Sequence, residues 1–254
     1  MKENSITFDE TCYPRKRSYF SVKGHPYLEK LRKQYKIDEI IKNETSEIDK
    51  IIALTDWVHS RWEHDGLNEP KKHDAIAILE EAEQGEKFRC VEYSTVLTAT
   101  LSSIGVPSRS LGLMMKTVET RKSGAGHAVV EAYIQSLKKW SIVDCQENLI
   151  VTIAEEPLNA VELCKELNTN GVKRIVLSNK KAEKGEYLRW IKRYLYYFSA
   201  MMDNRYGIDT PVLPILRLGP AGSIEPKVFQ RTKILGKAEF TNNVDRFYPE
   251  PEFR

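Results

Sequence analysis

CVEYSTVLTATLSSIGVPSRSLG, residues 90–112, is the stretch on which the fold turns. From Cys90 to Ile104 it contains neither Gly nor Pro, and Gly105 and Pro107 then supply the usual helix stop signals. Val91, Ser94, Thr95, Leu97, Thr98 and Leu101 recur at helical spacing and predict an inward face, although the β-branched content makes intrinsic propensity a weak support. Beyond the stop, SRSLGLMMKTV, HAVVEAYI and KKWSIVDC are rich in branched and aromatic residues, with the turn-like KSGAG and QSLKK between them. They read as successive antiparallel strands. A helix followed by such strands is the order of an α+β protein.

Upstream, the first 25 or so residues show no clear period and read as an arm along the domain. From Pro26 to Trp62 the apolar residues, among them Leu28, Leu31, Tyr35, Ile48, Ile51, Ile52, Leu54, Trp57 and Val58, predict two helices. Thr45 precedes the second, and Glu47 and Asp49 fall in its first turn, where carboxylates favour the positive end of the helix dipole. HDGLNEPKKHD, residues 64–74, interrupts the pattern, and a short helix over Ala75 to Glu83 follows before Gly85. Downstream of Asp144, NAVELCKEL predicts a helix, KRIVLS a strand and EYLRWIKRYLYYFSAMM one long amphipathic helix. In that helix Leu188, Ile191, Leu195 and Phe198 face the core, while Tyr196, Tyr197 and Met201 are candidates for a groove. The Pro-rich end reads as extended or loop.

Composition sets the class. With 41% hydrophobic and 30% charged residues, the 254-residue chain is an ordinary globular one that can bury a core without disulfides. The 39 basic against 36 acidic residues leave a formal charge of +3, which demands no acidic partner. PRKR at 14–17 and VKRIVLSNKK at 172–181 carry no nucleic-acid-binding motif and read as solvated surface, so no nucleic-acid partner is expected. No stretch approaches the length of a membrane span and the opening residues lack a secretory core, so the expected place is the cytoplasm. Cys12, Cys90, Cys145 and Cys164 form no close CxxC pair, which leaves the question of whether one thiol is activated.

Cys90 opens a predicted helix, where unpaired N–H groups and the helix dipole favour the thiolate. His127 begins a strand after KSGAG, and Asp144 closes the next one. Two antiparallel strands place that carboxylate beside the imidazole, the arrangement of a nucleophile, base and orienter. Taken singly, each has an ordinary reading: a buried inert thiol, a structural histidine, a turn aspartate.

Together, the cysteine-led run 90–112, GHAVVEAYI at 126–134 and WSIVDC at 140–145 resemble, in order and spacing, three blocks of the transglutaminase-like superfamily. The resemblance spans roughly Ile51 to Cys145. It implies a papain-like thiol-enzyme core with Cys90, His127 and Asp144 in the catalytic positions. Trp62, in SRWEHDG, matches a tryptophan whose indole N–H assists oxyanion binding in some members; its other reading is a core anchor, like Trp57. Departures are Phe88 where the family often has Gly, Val129 where it often has an aromatic, and Cys145-Gln146 after the aspartate. The expected organisation is one domain, 1–254, with a transglutaminase-like catalytic core at 45–150 and a helical and extended C-terminal extension at 151–254.

The implied chemistry is attack of Cys90 on an amide or peptide carbonyl through a thioester, with hydrolysis preferred over transfer to an amine. The expected partner is a peptide or protein amide substrate. A binding or scaffold domain that keeps the fold without turnover is the competing class. No carboxylate-rich loop suggests calcium, so neither metal nor other cofactor is expected.

Overall fold

The computed structural model describes residues 6–12, 18–22, 24–169, 171–206 and 213–254. β1 (Tyr19–Ser21) leads into three helices, α1 (Pro26–Gln34), α2 (Ile37–Ile41) and α3 (Glu47–His59), where the apolar pattern had predicted two. Lys36, with φ 50°, breaks the run by turning left-handed between α1 and α2. Ser46 rather than Thr45 caps α3, its hydroxyl accepting the Asp49 N–H at 3.0 Å. α4 (Ala75–Glu83) is capped in the same way by Asp74, which accepts the Ala77 N–H at 3.0 Å.

α5 (Cys90–Ser103) is the central helix, and the predicted single inward face is too narrow a description of it. Glu92, Tyr93, Ser94 and everything from Val96 to Ser102 are buried, while Val91 is exposed. In a helix enclosed this way a hydroxyl can turn back on its own backbone, as those of Ser94 and Thr100 do and that of Thr98 does not. Ser94 donates to the Cys90 carbonyl at 3.1 Å and Thr100 to the Val96 carbonyl at 2.7 Å, each one turn back. Gly105, at φ +82°, ends the helix as its residue type predicts.

The strands that follow are β2 (Ser108–Met114), β3 (Gly126–Ile134), β4 (Lys139–Asp144), β5 (Leu149–Ile153) and the short β6 (Glu156–Pro157). Next come α6 (Ala160–Thr169), β7 (Ile175–Leu177) and α7 (Lys184–Ile191). α7 is not the long helix predicted: it passes through a 3-10 turn at Lys192–Tyr194 and gives way to β8 (Tyr197–Met201). The Pro-rich end holds β9 (Ile215–Leu218), the hairpin of β10 (Val228–Phe229) with β11 (Lys233–Ile234), β12 (Glu239–Thr241), α8 (Val244–Phe247) and β13 (Pro251–Phe253).

The main sheet runs β12-β9-β8-β2-β3-β4-β5-β6, with β7 also on β5, and among its pairings only β12 with β9 is parallel. Both faces are covered. Val130, Ala132 and Ile134 of β3 join Leu54, Val58, Leu97 and Leu101 under α3 and α5. Val129 and Tyr133, of opposite parity, join Leu163, Leu188 and Ile191 under α6 and α7. Leu195 and Phe198 are buried in that second cluster, as predicted for the core, but Phe198 reaches it from a strand. Of the three candidates for a groove, Tyr197 is buried and Tyr196 half-buried, and Met201 is exposed on β8.

A buried ion pair ties the end of the chain to the sheet. Arg109 on β2 and Glu131 on β3, both without exposed side-chain surface, meet at 2.8 Å. Arg109 also donates to the Phe247 carbonyl at 3.0 Å, and Glu131 accepts the Tyr248 hydroxyl at 2.8 Å and the Ala160 N–H at 3.1 Å. The guanidinium lies over the rings of Trp140, Phe247 and Tyr248.

Candidate active site

Register brings the imidazole and carboxylate together. Val130 of β3 pairs with Val143 of β4, so Asp144 falls opposite Val129, two residues along from His127 and on the same face of the sheet. His127 Nε2 and Asp144 Oδ2 are 2.9 Å apart, and both side chains are buried. The other oxygen, Oδ1, accepts the Glu147 N–H at 3.2 Å in the turn after β4. With Nε2 engaged, the second ring nitrogen is the one left for Cys90, whose thiol lies near enough to act on this imidazole. Burial alone would drive the imidazole towards its neutral form. The charge and hydrogen bond of Asp144, joined by those of Cys90, outweigh it and raise the His127 pKa to about 10.

Cys90 is the first residue of α5 and is half-exposed. Before it, the Arg89 N–H and guanidinium are held by the buried Glu92 carboxylate, at 3.2 Å from the backbone and 2.8 Å from the side chain, which fixes the entry into the helix. Arg89 is itself paired with Glu92 and Glu69, so its charge is largely matched. The other thiols differ. Cys145 and Cys164 are buried, and burial pushes the first well above the ordinary thiol range and the second up to about 12. Cys12 is exposed, not buried as a structural thiol would be.

Trp62 brackets the same helix start. The segment after α3 pairs with the strand-like approach to Cys90, with the Asp65 N–H donating to the Phe88 carbonyl at 2.9 Å. The indole stacks on Tyr93 with ring centres 4.5 Å apart and meets Phe88 edge-on at 5.7 Å. Phe88, where the family often has Gly, therefore forms part of the Trp62 seat. At 8% exposure Trp62 is a core anchor, yet its Nε1–H is buried without an acceptor. Such an orphan donor costs on the order of 1–3 kcal/mol unless something else uses it.

Three aromatic side chains that the sequence pattern did not single out complete the surroundings of His127. Trp190 meets the imidazole edge-on, centres 4.8 Å apart, and Tyr194 lies at 6.0 Å. Tyr187 donates its hydroxyl to Asp144 Oδ2 at 3.2 Å. Their spacing, i, i+3 and i+7, was the available signal, since it sets one face of a helix. A groove of about 660 Å³ opens on this helix and is lined by Glu147, Glu183, Tyr187, Arg189, Trp190 and Arg193. Among the described residues no cluster of three His, Cys, Asp or Glu side chains is placed to hold a metal, and no helix is long and apolar enough to cross a membrane. Of the two basic stretches, PRKR lies outside the described residues. In the other, Ile175 and Leu177 are buried in β7 and Arg174 pairs with Glu166 at 2.7 Å.

The α+β architecture, with the cysteine leading a helix and the histidine and aspartate on neighbouring strands, is that of a papain-like fold. Residues 34–145, which contain Trp62, Cys90, His127 and Asp144, match the family model of the transglutaminase-like superfamily. Among solved structures the chain is similar to a candidate cysteine protease from Cytophaga hutchinsonii, at 12% identity and a TM-score of 0.39 over 84% of this chain and 59% of that one. It is also similar to EGTA-treated LapG from Legionella pneumophila, at 10% identity and a TM-score of 0.37 over 76% and 92%. A third is the periplasmic domain of TgpA from Pseudomonas aeruginosa, at 17% identity and a TM-score of 0.35 over 50% and 45%. This chain thus spans under two thirds of the Cytophaga and Pseudomonas chains. No curated protein matches.

Proposed function

We propose that the protein is a cysteine-dependent acyl-transfer enzyme in which Cys90 is the nucleophile, His127 its base and Asp144 the group that orients the base. The observation that carries this reading is the line of contacts from the α5 N-terminus through imidazole to a buried carboxylate. His127 takes the Cys90 proton and the sulfur attacks an amide or peptide carbonyl. The oxyanion so formed is bound by the Cys90 backbone N–H, in the first helical turn where N–H groups lack an intrahelical acceptor, and by the orphan Trp62 Nε1–H. The imidazolium then returns its proton to the leaving amine or ammonia. The thioester left on Cys90 is resolved by water, with His127 again as base. A peptide or protein amide is the proposed substrate.

The test is the alkylation of each cysteine by iodoacetamide from pH 4 to 9, read by mass spectrometry. Cys90 should react at least about tenfold faster than Cys12 at pH 6, and His127→Ala should abolish that advantage. Equal rates for Cys90 and Cys12 in the folded protein would turn the reading towards a binding domain that keeps the fold.

A further inference from the structure

Asp144 carries more than the task of holding one imidazole. Its Oδ2 receives two donors, His127 at 2.9 Å and Tyr187 at 3.2 Å, and its Oδ1 receives the Glu147 N–H. A carboxylate with no exposed surface keeps its charge only if hydrogen bonds replace the lost water. Of the two side chains that do so, one is the base itself. The other comes from α7, outside the segment that matches the superfamily. Tyr187 is buried against this carboxylate, and burial, followed by the charge of Asp144, pushes its hydroxyl well above the ordinary range, so it stays protonated and can only donate to the carboxylate. Leu188 and Ile191 anchor α7 in the core beneath, and Trp190, one turn on from Tyr187, abuts the imidazole edge. The ring and the hydroxyl are therefore held where the carboxylate needs them.

We propose that Tyr187 is a positioning residue of the active centre: its hydroxyl, donated to Asp144, fixes Oδ2 in line with His127. Through that carboxylate it holds the imidazole in the orientation that presents its other nitrogen to Cys90. The inference rests on the acyl-transfer reading above. The proton stays on the tyrosine throughout; no bond to it is made or broken.

Tyr187→Phe removes the oxygen and keeps the ring, so packing of α7 is preserved and only the hydrogen bond is lost. The full chain carrying this change is compared with wild type and with His127→Ala by the pH profile of iodoacetamide alkylation at Cys90, with thermal melts as a check on folding. Tyr187→Phe is expected to slow Cys90 alkylation about five- to tenfold near pH 6 and to move the acidic limb of the profile to higher pH, with the rate at pH 9 nearly unchanged. A profile that superimposes on wild type, while His127→Ala still removes the Cys90 advantage, overturns the role of Tyr187 and leaves the thiol–imidazole pair standing. A wild-type Cys90 indifferent to His127→Ala brings down the underlying reading instead. If Tyr187→Phe does not fold, the same profile on Tyr187→Met, which also removes the hydroxyl and keeps an apolar side chain, decides by the same two outcomes.

Discussion

Trp62 combines a packing role with the one proposed for its N–H at the oxyanion. Its ring is seated on Phe88 and Tyr93, while its N–H has no acceptor. Trp62→Phe keeps much of the packing and removes only the donor. On a chromogenic amide or ester that acylates Cys90, kcat should fall by about 10²-fold, which is the scale of one lost oxyanion donor. The rate of iodoacetamide alkylation at Cys90 should stay close to wild type, because that reaction develops no oxyanion. A matching fall in both rates would assign Trp62 to packing alone. The residues proposed to bear chemistry were open to reading in the sequence because thiol, imidazole and carboxylate each sit at an element boundary: the start of α5, the start of β3 and the end of β4. Tyr187 and Trp190 were not, since nothing local in EYLRW says that this helix will lie across the sheet face bearing His127.

At the scale of elements, the strands from Ser108 to Asp144 and the helix opening at Cys90 follow the sequence pattern, and residues 186–202 do not. The run EYLRWIKRYLYYFSAMM has apolar residues at helical spacing throughout, yet its second half is β8. The aromatic-rich YYFSA suits a strand, and β2 has an open edge that only β8 fills. A tertiary pairing thus overrides a local period. The three-helix start likewise turns on one left-handed residue, Lys36, that no apolar count reveals. The Arg109–Glu131 pair joins two central strands to Phe247 and Tyr248 and gives a direct measure of how firmly the C-terminal elements are bound in. Arg109→Ala strands a buried carboxylate and should cost about 3–5 kcal/mol in urea unfolding. Replacing both partners with apolar residues should recover most of that loss.

For the molecule as a whole, the His127 pair makes stability depend on pH in a set direction. A histidine at 6.5 when unfolded and about 10 when folded binds more protons in the native state between those values. Its contribution is complete below about pH 6.5 and disappears as pH rises through about 10. Unfolding free energy measured by denaturant should therefore fall more steeply in wild type than in His127→Ala across this window, whatever constant offset the substitution adds. A parallel pair of curves would show that the imidazole titrates alike in both states.

The place of β8 in the sheet has a temporal side. During synthesis, β2 and β3 emerge well before residues 197–201, and β2 bonds to both β3 and β8. Until β8 arrives, one edge of the strand that leads out of α5 stands open, and neither Tyr187 nor Trp190 has been secured against the Asp144–His127 pair. The nascent chain therefore carries the segment that matches the superfamily before the proposed thiol centre is complete. On the proposed reading, competence to react is coupled to completion of the fold, and a half-made chain holds its cysteine in an unassembled site.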